Sequence, residues 1–358
     1  MPTITGMKGG GFYDRHSTMQ RDAMEPFLPW LEEAAASLPA PEGESGAYTW
    51  LDLGSSEGAN ALYAMGRAIA ALRQRQSTPL RLGLMDLPTN DFNQLFTNLF
   101  PGGQSALGDD VYPYAVGGSA FQRLAPARSL HLATTFNAIS FLESRPATVP
   151  PKAVFPHPPR HPRAGVALTP EEQAPYREES ARNLQAFYAA RAEELVPGGK
   201  LLVQLFGRDD QAATCDGIQD IIGDTLLDLI GAGELPEDLY TRIIFPVYCR
   251  SLEEMLAPVA DGSELADVFS IEQAESREVS VYFNDNFDGN SDLEAWSHAY
   301  ADHFRAFTEA VIAAHLPAED SRAATLDCFY QRSRELLVAD PDRYRMRFVS
   351  NAVLLTRI

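Results

Sequence analysis

Residues 48–60 (YTWLDLGSSEGAN) place a carboxylate beside a turn rich in glycine and serine. The apolar run 48–53 predicts a strand, and the turn at 54–58 leads into a helical run. Such a junction directs backbone N–H groups and the positive end of a helix toward one point. With Asp52 at the end of the strand, it suits a ligand that carries an ammonium, a carboxylate or hydroxyls. Because the glycine spacing is not G-x-G-x-x-G, the turn counts against a dinucleotide-binding dehydrogenase.

A second acid, Asp86, ends the apolar run 79–87 (PLRLGLMDL), which predicts a second strand. The spacing between Asp52 and Asp86 fits one strand–helix–strand unit. An acid at the end of the second strand holds ribose hydroxyls in many nucleotide-binding α/β sheets. The competing interpretation is an ordinary turn or cap residue.

The N-terminal segment, residues 1–20, is rich in glycine and lacks apolar periodicity, which is typical of a mobile tail. It nevertheless carries several hydrogen-bonding side chains: Lys8, Tyr13, His16, Ser17 and Gln20. This density is unusual for a terminus without a function.

The cysteines and histidines do not predict a metal site. Cys215, Cys249 and Cys328 are far apart, odd in number and without C-x-x-C spacing, so neither a disulfide framework nor a zinc site is supported. His157 and His161 lie in a proline-rich loop with no acidic or cysteine partner nearby in the sequence.

Three other histidines are expected to be structural. His131 lies inside an apolar strand pattern, which indicates a satisfied core histidine rather than a catalytic base. His298 and His303 are five positions apart and do not share a helix face, which favours an ordinary helix surface.

Composition narrows the class of protein. A formal net charge of -20 argues against phosphate-backbone binding and against an anionic membrane surface. The N-terminus lacks the apolar region of a signal peptide, and no apolar run approaches the roughly 18 residues of a membrane-spanning helix. We therefore expect a cytoplasmic protein.

The predicted elements alternate between strands and helices, which favours a parallel sheet covered by helices. Strands are predicted at 48–53, 79–87, 112–116, 129–134, 200–206, 268–281 and 347–357, and helices at 21–38, 91–99, 178–195, 216–260 and 292–338, with a short helix at 137–142 and a loop at 144–163. The later helical blocks suggest a helical cap over the ligand edge of the sheet.

Several sequence blocks follow one another in the order of a known family. They are MKGG…Y…S-x-x-Q from Met7 to Gln20, DLGSSEGAN from Asp52 to Asn60, DLPTNDFN from Asp86 to Asn93, VGGSAFQRL from Val116 to Leu124, SLHLATTFNAISFL from Ser129 to Leu142, RAEELVPGGKLLVQLFGR, and the FPVY and SLEE stretch at 245–254. In these blocks the chain resembles the SABATH family of small-molecule carboxyl and N-methyltransferases over essentially its full length.

The resemblance implies an α/β fold: the Rossmann-like, seven-stranded, mostly parallel sheet of a class I methyltransferase with a helical cap. The expected core spans 48–206 and is completed by 262–283 and 346–358. The expected cap, which forms the acceptor pocket, comprises 1–40, 207–261 and 284–345.

The resemblance also implies S-adenosylmethionine (SAM) as the methyl donor. The positions matching the family's donor-binding residues are Ser17, Asp52, Gly54, Asn60, Asp86, Leu87, Ser119 and Ala120. Of these, Ser17, Asp52 and Asn60 would hold the methionine part and Asp86 the ribose, with Leu87, Ser119 and Ala120 near the adenine. The family usually has Phe where this chain has Ala120.

On the acceptor side, Gln20 matches the residue that holds the substrate carboxylate, and Lys8 belongs to the same mouth. Phe141 stands where the family commonly has a tryptophan N–H donor, so we consider Asn137 as a replacement donor. Other positions matching the acyl pocket are Tyr248, Phe304 and Phe307. Aromatic core packing is the competing interpretation for these.

The implied reaction is methyl transfer to the carboxylate of a small, aromatic or otherwise apolar acid. A carboxylate is already ionised at neutral pH, so in-line displacement needs no general base, and we nominate no catalytic acid or base. The change at Phe141 keeps an N-methyltransferase of a xanthine-like heterocycle open. A non-catalytic SAM-binding protein is a weaker alternative.

Two further expectations come from the family alone. A homodimer is common among its members. Some members bind Mg²⁺, and Asp285 and Asp288 are the nearest candidates here, although they form no clear ligand cluster in the sequence.

Overall fold

A single seven-stranded sheet organises the computed structural model, which describes residues 7–42, 46–146, 154–161, 168–316 and 322–358. The strands are β1 (Tyr48–Leu53), β2 (Leu80–Asp86), β3 (Val111–Gly117), β4 (Leu130–Phe136), β5 (Leu195–Phe206), β6 (Phe269–Val279) and β7 (Phe348–Arg357). Their order in the sheet is β3-β2-β1-β4-β5-β7-β6. Strands β1 to β5 pair in parallel, and β7 is antiparallel to both of its neighbours. This architecture confirms the predicted fold class.

The α-helices pack on both faces of the sheet and extend beyond it. They are α1 (Phe12–His16), α2 (Thr18–Met24), α3 (Leu28–Ala36), α4 (Ala59–Arg73), α5 (Phe92–Leu99), α6 (Pro170–Glu194), α7 (Ile218–Gly231), α8 (Leu239–Arg242), α9 (Leu252–Leu256), α10 (Tyr282–Asn290), α11 (Leu293–His315) and α12 (Arg322–Ala339). None of these helices, in the described part of the chain, is both long and apolar enough to cross a membrane.

The central strands form because both of their faces are buried. Strand β4 (LHLATTF) is buried at every residue except the last, and such nearly continuous burial is typical of a parallel sheet covered on both faces. Strands β1 and β4 are neighbours in the sheet. The connection after β1 runs to β2 on one side, whereas the connection after β4 runs to β5 on the other, so the two connections leave in opposite directions. Ligands of open α/β sheets bind at such a switch point, beyond the carboxyl ends of the strands.

Apolar side chains gather in separate clusters. Two of them cover the two faces of the sheet. A third joins α7, α11 and α12 with the ends of β5 and β7 and contains the rings of Trp296, Tyr300, Phe304 and Tyr330. The boundaries that we drew between core and cap stay a prediction.

The N-terminal segment is folded from residue 7 onward and lies over the ends of β1 and β2. The Glu57 carboxylate accepts the backbone N–H groups of Gly11 at 2.6 Å and Asp14 at 3.2 Å. The Asn98 amide in turn donates to the Asp14 carboxylate at 2.6 Å. These bonds attach α1 to the turn after β1, so the segment is part of the site rather than a tail.

Proline accounts for one difference between the predicted and observed helices. The helix predicted at 21–38 is divided into α2, a 3₁₀ turn at Glu25–Phe27, and α3. Pro26 lies in that turn and Pro29 in the first turn of α3, and neither residue can donate the helical N–H bond. The predicted loop at 144–163 is irregular in its described parts, 144–146 and 154–161; residues 147–153 and 162–163 lie outside the description.

Candidate active site

A cavity of about 860 Å³, counting its open mouth, lies at the carboxyl ends of β1, β2, β4 and β5. Its walls include Met7, Tyr13, Gln20, Gly54, Ser56, Asp86, Leu87, Ser119, Ala120, Phe136, Asn137, Phe141, Phe206 and Phe307. A second cavity of about 400 Å³ shares Gln20 and Asn137 with the first and adds Asp52 and Asn60. A third, of about 350 Å³, shares Phe206 and Phe307 with the first and extends toward Cys249. We call these the main, the inner and the deep cavity.

Asp52 provides a buried carboxylate in the inner cavity. It is 2% exposed and accepts hydrogen bonds from the Thr134 hydroxyl at 2.6 Å and the Ser55 hydroxyl at 2.9 Å. Burial raises the pKa of Asp52 to about 6, because desolvation outweighs these two bonds. The contacts of the carboxylate are hydroxyls, so an ammonium of a ligand would supply the missing positive charge.

The turn after β1 approaches its neighbours too closely for a side chain. Gly54 has φ +94°, and a Cβ at this residue would lie 2.1 Å from the Cβ of Ala138. Gly58 has φ +101°, and its Cβ would lie 2.6 Å from a methyl carbon of Leu95. Both residues therefore need glycine, since the left-handed backbone and the close contact act together.

Asp86 ends β2 on the wall of the main cavity. Its two carboxylate oxygens accept the backbone N–H groups of Ser56 and Leu87, each at 2.7 Å. Burial raises the pKa of Asp86, and these two bonds act against the rise. They hold the carboxylate between the turn after β1 and Leu87. Leu87 is the first of the three residues predicted to lie near the adenine, with Ser119 and Ala120.

Gln20 and Asn137 stand where the main and inner cavities meet. Gln20 is 4% exposed, and its Oε1 has no hydrogen-bond partner in the described part of the chain. Asn137 is 5% exposed and has φ +62°, a left-handed conformation that Asn tolerates better than most residues. A buried polar atom without a partner is costly, so a ligand that hydrogen-bonded to the Gln20 amide would remove this cost.

Ser17 and Asn60 contact each other beside the inner cavity. The Asn60 amide donates to the Ser17 hydroxyl at 3.0 Å and to the Ser17 carbonyl at 3.1 Å. Asn60 lines the cavity, whereas Ser17 lies behind it. Their predicted contacts with the donor stay predictions.

Three residues predicted for the acceptor pocket lie outside the cavity walls. Lys8 pairs with Glu309 at 2.8 Å, and its ammonium lies 4.3 Å from the centre of the Phe12 ring. Phe304 packs between Tyr300 and Tyr330 in the cap. By contrast, Phe141 and Phe307 do line the main cavity.

Tyr248 is the third residue outside the cavity walls. Its hydroxyl donates to Glu254 at 3.0 Å, and its ring contacts His157. Burial raises the pKa of Tyr248 to about 12, so the phenol stays protonated.

His303 corrects the expectation of a helix surface. It is buried and lines the deep cavity, whereas His298 is exposed. Burial lowers the pKa of His303 to about 4, so the ring is neutral at physiological pH. The spacing of the two histidines shows that they lie on different faces of the helix, but it does not show which face is buried.

The structure also corrects the statement that His157 has no cysteine partner. Ligand atoms of His157, Cys215 and Cys249 lie within 4.8 Å of one another, all buried. The hydrogen bond with Cys215 lowers the pKa of Cys249 against the effect of burial, and the His157 ring adds to this. However, Nε2 of His157 already accepts the backbone N–H of Cys249 at 2.9 Å, so the lone pair at that nitrogen is in use. His161 lies apart from this group, and its backbone N–H donates to Asp220 at 3.2 Å.

His131 behaves as a core histidine. It is buried in β4, and its Nδ1 accepts the backbone N–H of Thr49 at 3.2 Å. For the suggested Mg²⁺ ligands, Asp288 pairs with Arg345 at 2.9 Å, and Asp285 accepts a hydrogen bond from Ser280. Neither contact indicates a Mg²⁺ site at these two carboxylates.

Several residues that line the cavities were not predicted from the sequence to belong to the site. Tyr13 lines both the main and inner cavities, and burial together with Asp86, Asp14 and Glu57 raises its pKa. Phe136 and Phe206 are the last residues of β4 and β5. Their position at the strand ends was a usable signal, because the carboxyl ends of parallel strands meet at one edge of the sheet.

Comparisons with known proteins identify the family of this chain and its fold. The family described as "SAM dependent carboxyl methyltransferase" matches residues 3–358. A salicylate carboxymethyltransferase of Clarkia breweri is 26% identical over 99% of this chain and 98% of its own length. A 3,7-dimethylxanthine N-methyltransferase of Camellia sinensis is 25% identical over 98% of this chain and 95% of its own length. The solved structure of a loganic acid methyltransferase with S-adenosylhomocysteine covers 98% of both chains at a TM-score of 0.79 and 20% identity, which shows a shared fold.

The sheet order, with acids at the ends of β1 and β2, defines a class I methyltransferase. The chain belongs to the SAM-dependent carboxyl methyltransferase family, the SABATH family of the resemblance above. SAM is its cofactor, and the buried carboxylate of Asp52 and the close turn at Gly54 fit such a donor.

Proposed function

We propose that the protein methylates the carboxylate of a small aromatic or otherwise apolar acid. The observation that carries the proposal is the pair of buried amides, Gln20 and Asn137, at the junction of the main and inner cavities. Beyond that junction the wall is aromatic, with Phe141, Phe206 and Phe307. A bound acid would place its carboxylate next to the two amides and bury its apolar part against the aromatic rings.

Each side of the junction has its own task. On the donor side, we assign the ammonium and methionine part to Asp52, Asn60 and Ser17. The ribose is assigned to Asp86, and the adenine to Leu87, Ser119 and Ala120. When bound, SAM supplies a methyl group on a positively charged sulfur.

The chain supports methyl transfer by positioning rather than by proton transfer. Gln20 and Asn137 would hold the carboxylate in line with the methyl group, and the folded N-terminal segment would exclude water. Orientation of this kind contributes up to about 7–11 kcal/mol in the best intramolecular reactions. The acceptor is ionised at neutral pH, so no side chain has to remove a proton.

N-methylation of a xanthine-like heterocycle is the second candidate. It is favoured by Phe141, which has no N–H, and by the relative from Camellia sinensis. The two candidates differ at the amides, because a ring N–H needs a hydrogen-bond acceptor where a carboxylate needs a donor.

Gln20→Glu tests the proposal with benzoate, salicylate and indole-3-acetate as acceptors. The introduced carboxylate repels the carboxylate of the acid beside Asn137. We therefore expect methyl transfer to the acid that the wild-type protein uses to fall by at least about 100-fold. SAM affinity, measured by calorimetry, should change much less.

Gln219→Glu is the matched control, since this buried amide holds the His157 carbonyl at 2.7 Å outside the three cavities. It should leave the KM of the acid unchanged. Unchanged turnover of the acid in Gln20→Glu would contradict the proposed role of Gln20 in binding the acid's carboxylate.

A further inference from the structure

Asn137 is attached to β5 by both its backbone and its side chain. Its backbone N–H donates to the Gln204 carbonyl at 2.7 Å, and its Oδ1 accepts from the Gln204 amide nitrogen at 3.0 Å. Gln204 is completely buried in β5. The orientation of the Asn137 amide therefore depends on the orientation of the Gln204 amide.

A backbone carbonyl fixes the direction of this hydrogen-bond chain. The Ser350 hydroxyl donates to the carbonyl of Ala23 at 2.9 Å. A hydroxyl has one proton, so the Ser350 oxygen can only accept from Gln204, whose amide nitrogen lies 2.7 Å away. That nitrogen has two protons, and the second goes to the oxygen of Asn137.

The consequence at the cavity is a donor with a fixed orientation. Gln204 binds the side-chain oxygen of Asn137. The NH₂ group of Asn137 is therefore the part of its amide that remains available to a ligand in the main and inner cavities. Gln20 lacks such a constraint, since its Oε1 has no partner in the described chain. Gln20 can therefore turn to suit either a donor or an acceptor, whereas Asn137 cannot.

We propose that Gln204 and Ser350 are positioning residues that present Asn137 as an obligate donor, which makes the site select a carboxylate over its neutral amide. The inference rests on the proposed carboxyl methylation and deepens it. A ligand group next to Asn137 must accept a hydrogen bond, as both oxygens of a carboxylate do. A primary amide can turn its carbonyl to Asn137 and its N–H to Gln20, but it then forms neutral hydrogen bonds where the acid forms charge-assisted ones, which are roughly twice as strong.

The test compares each acid with its primary amide: benzoate with benzamide, salicylate with salicylamide, and indole-3-acetate with its amide. Binding to the complex with S-adenosylhomocysteine is measured by calorimetry. Wild-type protein should prefer at least one acid over its amide. In Gln204→Glu the carboxylate attracts the Asn137 NH₂ group and turns the Asn137 oxygen to the cavity, so acid affinity should fall by about tenfold or more while the amide binds as well or better.

Two neutral variants separate orientation from the added charge. Gln204→Met and Ser350→Ala release the constraint without a charge, and each should reduce the preference for the acid several-fold. Ser333→Ala is the matched control, because this equally buried hydroxyl bonds Thr225 within the cap, at 3.0 Å. It should lower thermal stability without changing the preference.

An unchanged acid preference in folded Gln204→Glu, Gln204→Met and Ser350→Ala would overturn the inference and leave the proposed function intact. Wild-type protein that binds no aromatic, indolic or terpenoid acid would instead contradict the proposed function, and the inference would fall with it. Affinity for S-adenosylhomocysteine reports on folding in every variant.

Discussion

At the scale of single residues, Asp52 combines burial with negative charge. The carboxylate is removed from water, and two hydroxyls compensate only part of the cost, so its pKa rises to about 6. A ligand ammonium would remove this penalty. Ionised Asp52 therefore lowers the stability of the ligand-free protein and would favour binding of a ligand that carries an ammonium.

This penalty gives a pH prediction. The folded pKa lies above the ordinary value of 3.8, so ionisation of Asp52 lowers the stability of the ligand-free protein as pH rises from about 4 to about 6. SAM binding should shift the equilibrium to the ionised form and release a proton near pH 6. Calorimetry in two buffers of different ionisation enthalpy measures that proton.

Asp52→Asn provides the control for proton release. It should abolish the release and weaken SAM binding by about 10- to 100-fold, the range of one hydrogen bond to a charged group. Binding without proton exchange in the wild-type protein at pH 6 would argue against a raised pKa.

Gly54→Ala tests the close turn after β1. The new methyl carbon would lie 2.1 Å from the Ala138 Cβ on a backbone at φ +94°, so we expect a loss of at least about 1–3 kcal/mol in the free energy of unfolding. The measurement is urea denaturation.

Gly66→Ala is the matched substitution. It lies within α4, where the added carbon would have no atom within 4 Å other than those of the local helix backbone, and should stabilise the protein by up to about 1 kcal/mol. Equal effects of the two substitutions would contradict the steric account.

Sequence reasoning predicted cavity residues best where a strand end fixed their position. Asp52 and Asp86 follow apolar runs, and the carboxyl ends of parallel strands meet at one edge. Phe304 and Tyr248 were expected in the pocket because of their place in a motif. A motif gives the position in the chain but not the face of a helix or loop that meets the cavity. The cluster around His157 could not be predicted, since tertiary folding alone brings Cys215 and Cys249 beside it.

At the scale of elements, the N-terminal segment shows how a short helix is stabilised. Helix α1 has five residues and no side-chain cap of its own, so it depends on tertiary contacts. The Glu57 carboxylate supplies two of them, at Gly11 and Asp14. The segment in turn carries Tyr13 and Gln20 into the cavity walls.

Glu57→Ala should therefore loosen the segment that closes the site. We expect faster hydrogen exchange of backbone amides at 11–17 and weaker binding of both donor and acceptor, because their shared wall moves. Mass spectrometry of peptic fragments measures the exchange. Glu253→Ala, at an exposed position of α9, should change neither quantity. Unchanged exchange at 11–17 in Glu57→Ala would show that other contacts hold α1.

The order of elements was more predictable than their boundaries. Each of the seven strands was predicted within a few residues, except that β5 begins at Leu195 rather than at 200. Helix α6 begins at Pro170, earlier than predicted, where Thr169 and Glu172 form a capping box. The periodicity of its first turns is weak because it carries mostly charged and polar residues.

At the scale of the whole molecule, the site joins two parts with different chemistry. The sheet provides acids and a glycine turn for a polar donor. The cap and the ends of β4 and β5 provide the rings that line the main and deep cavities, where we propose that an apolar acceptor binds. The residues that line both the main and the inner cavity include the amides of Gln20 and Asn137. The expected homodimer stays a prediction.

The most direct measurement is transfer from methyl-labelled SAM to a panel of aromatic, indolic and terpenoid acids and of xanthines. The label extracted into organic solvent is then treated with base. We predict label in the product of at least one acid, lost on base treatment because a methyl ester hydrolyses. Base-stable label on a xanthine, with none on any acid, would contradict carboxyl methylation and establish N-methylation in its place.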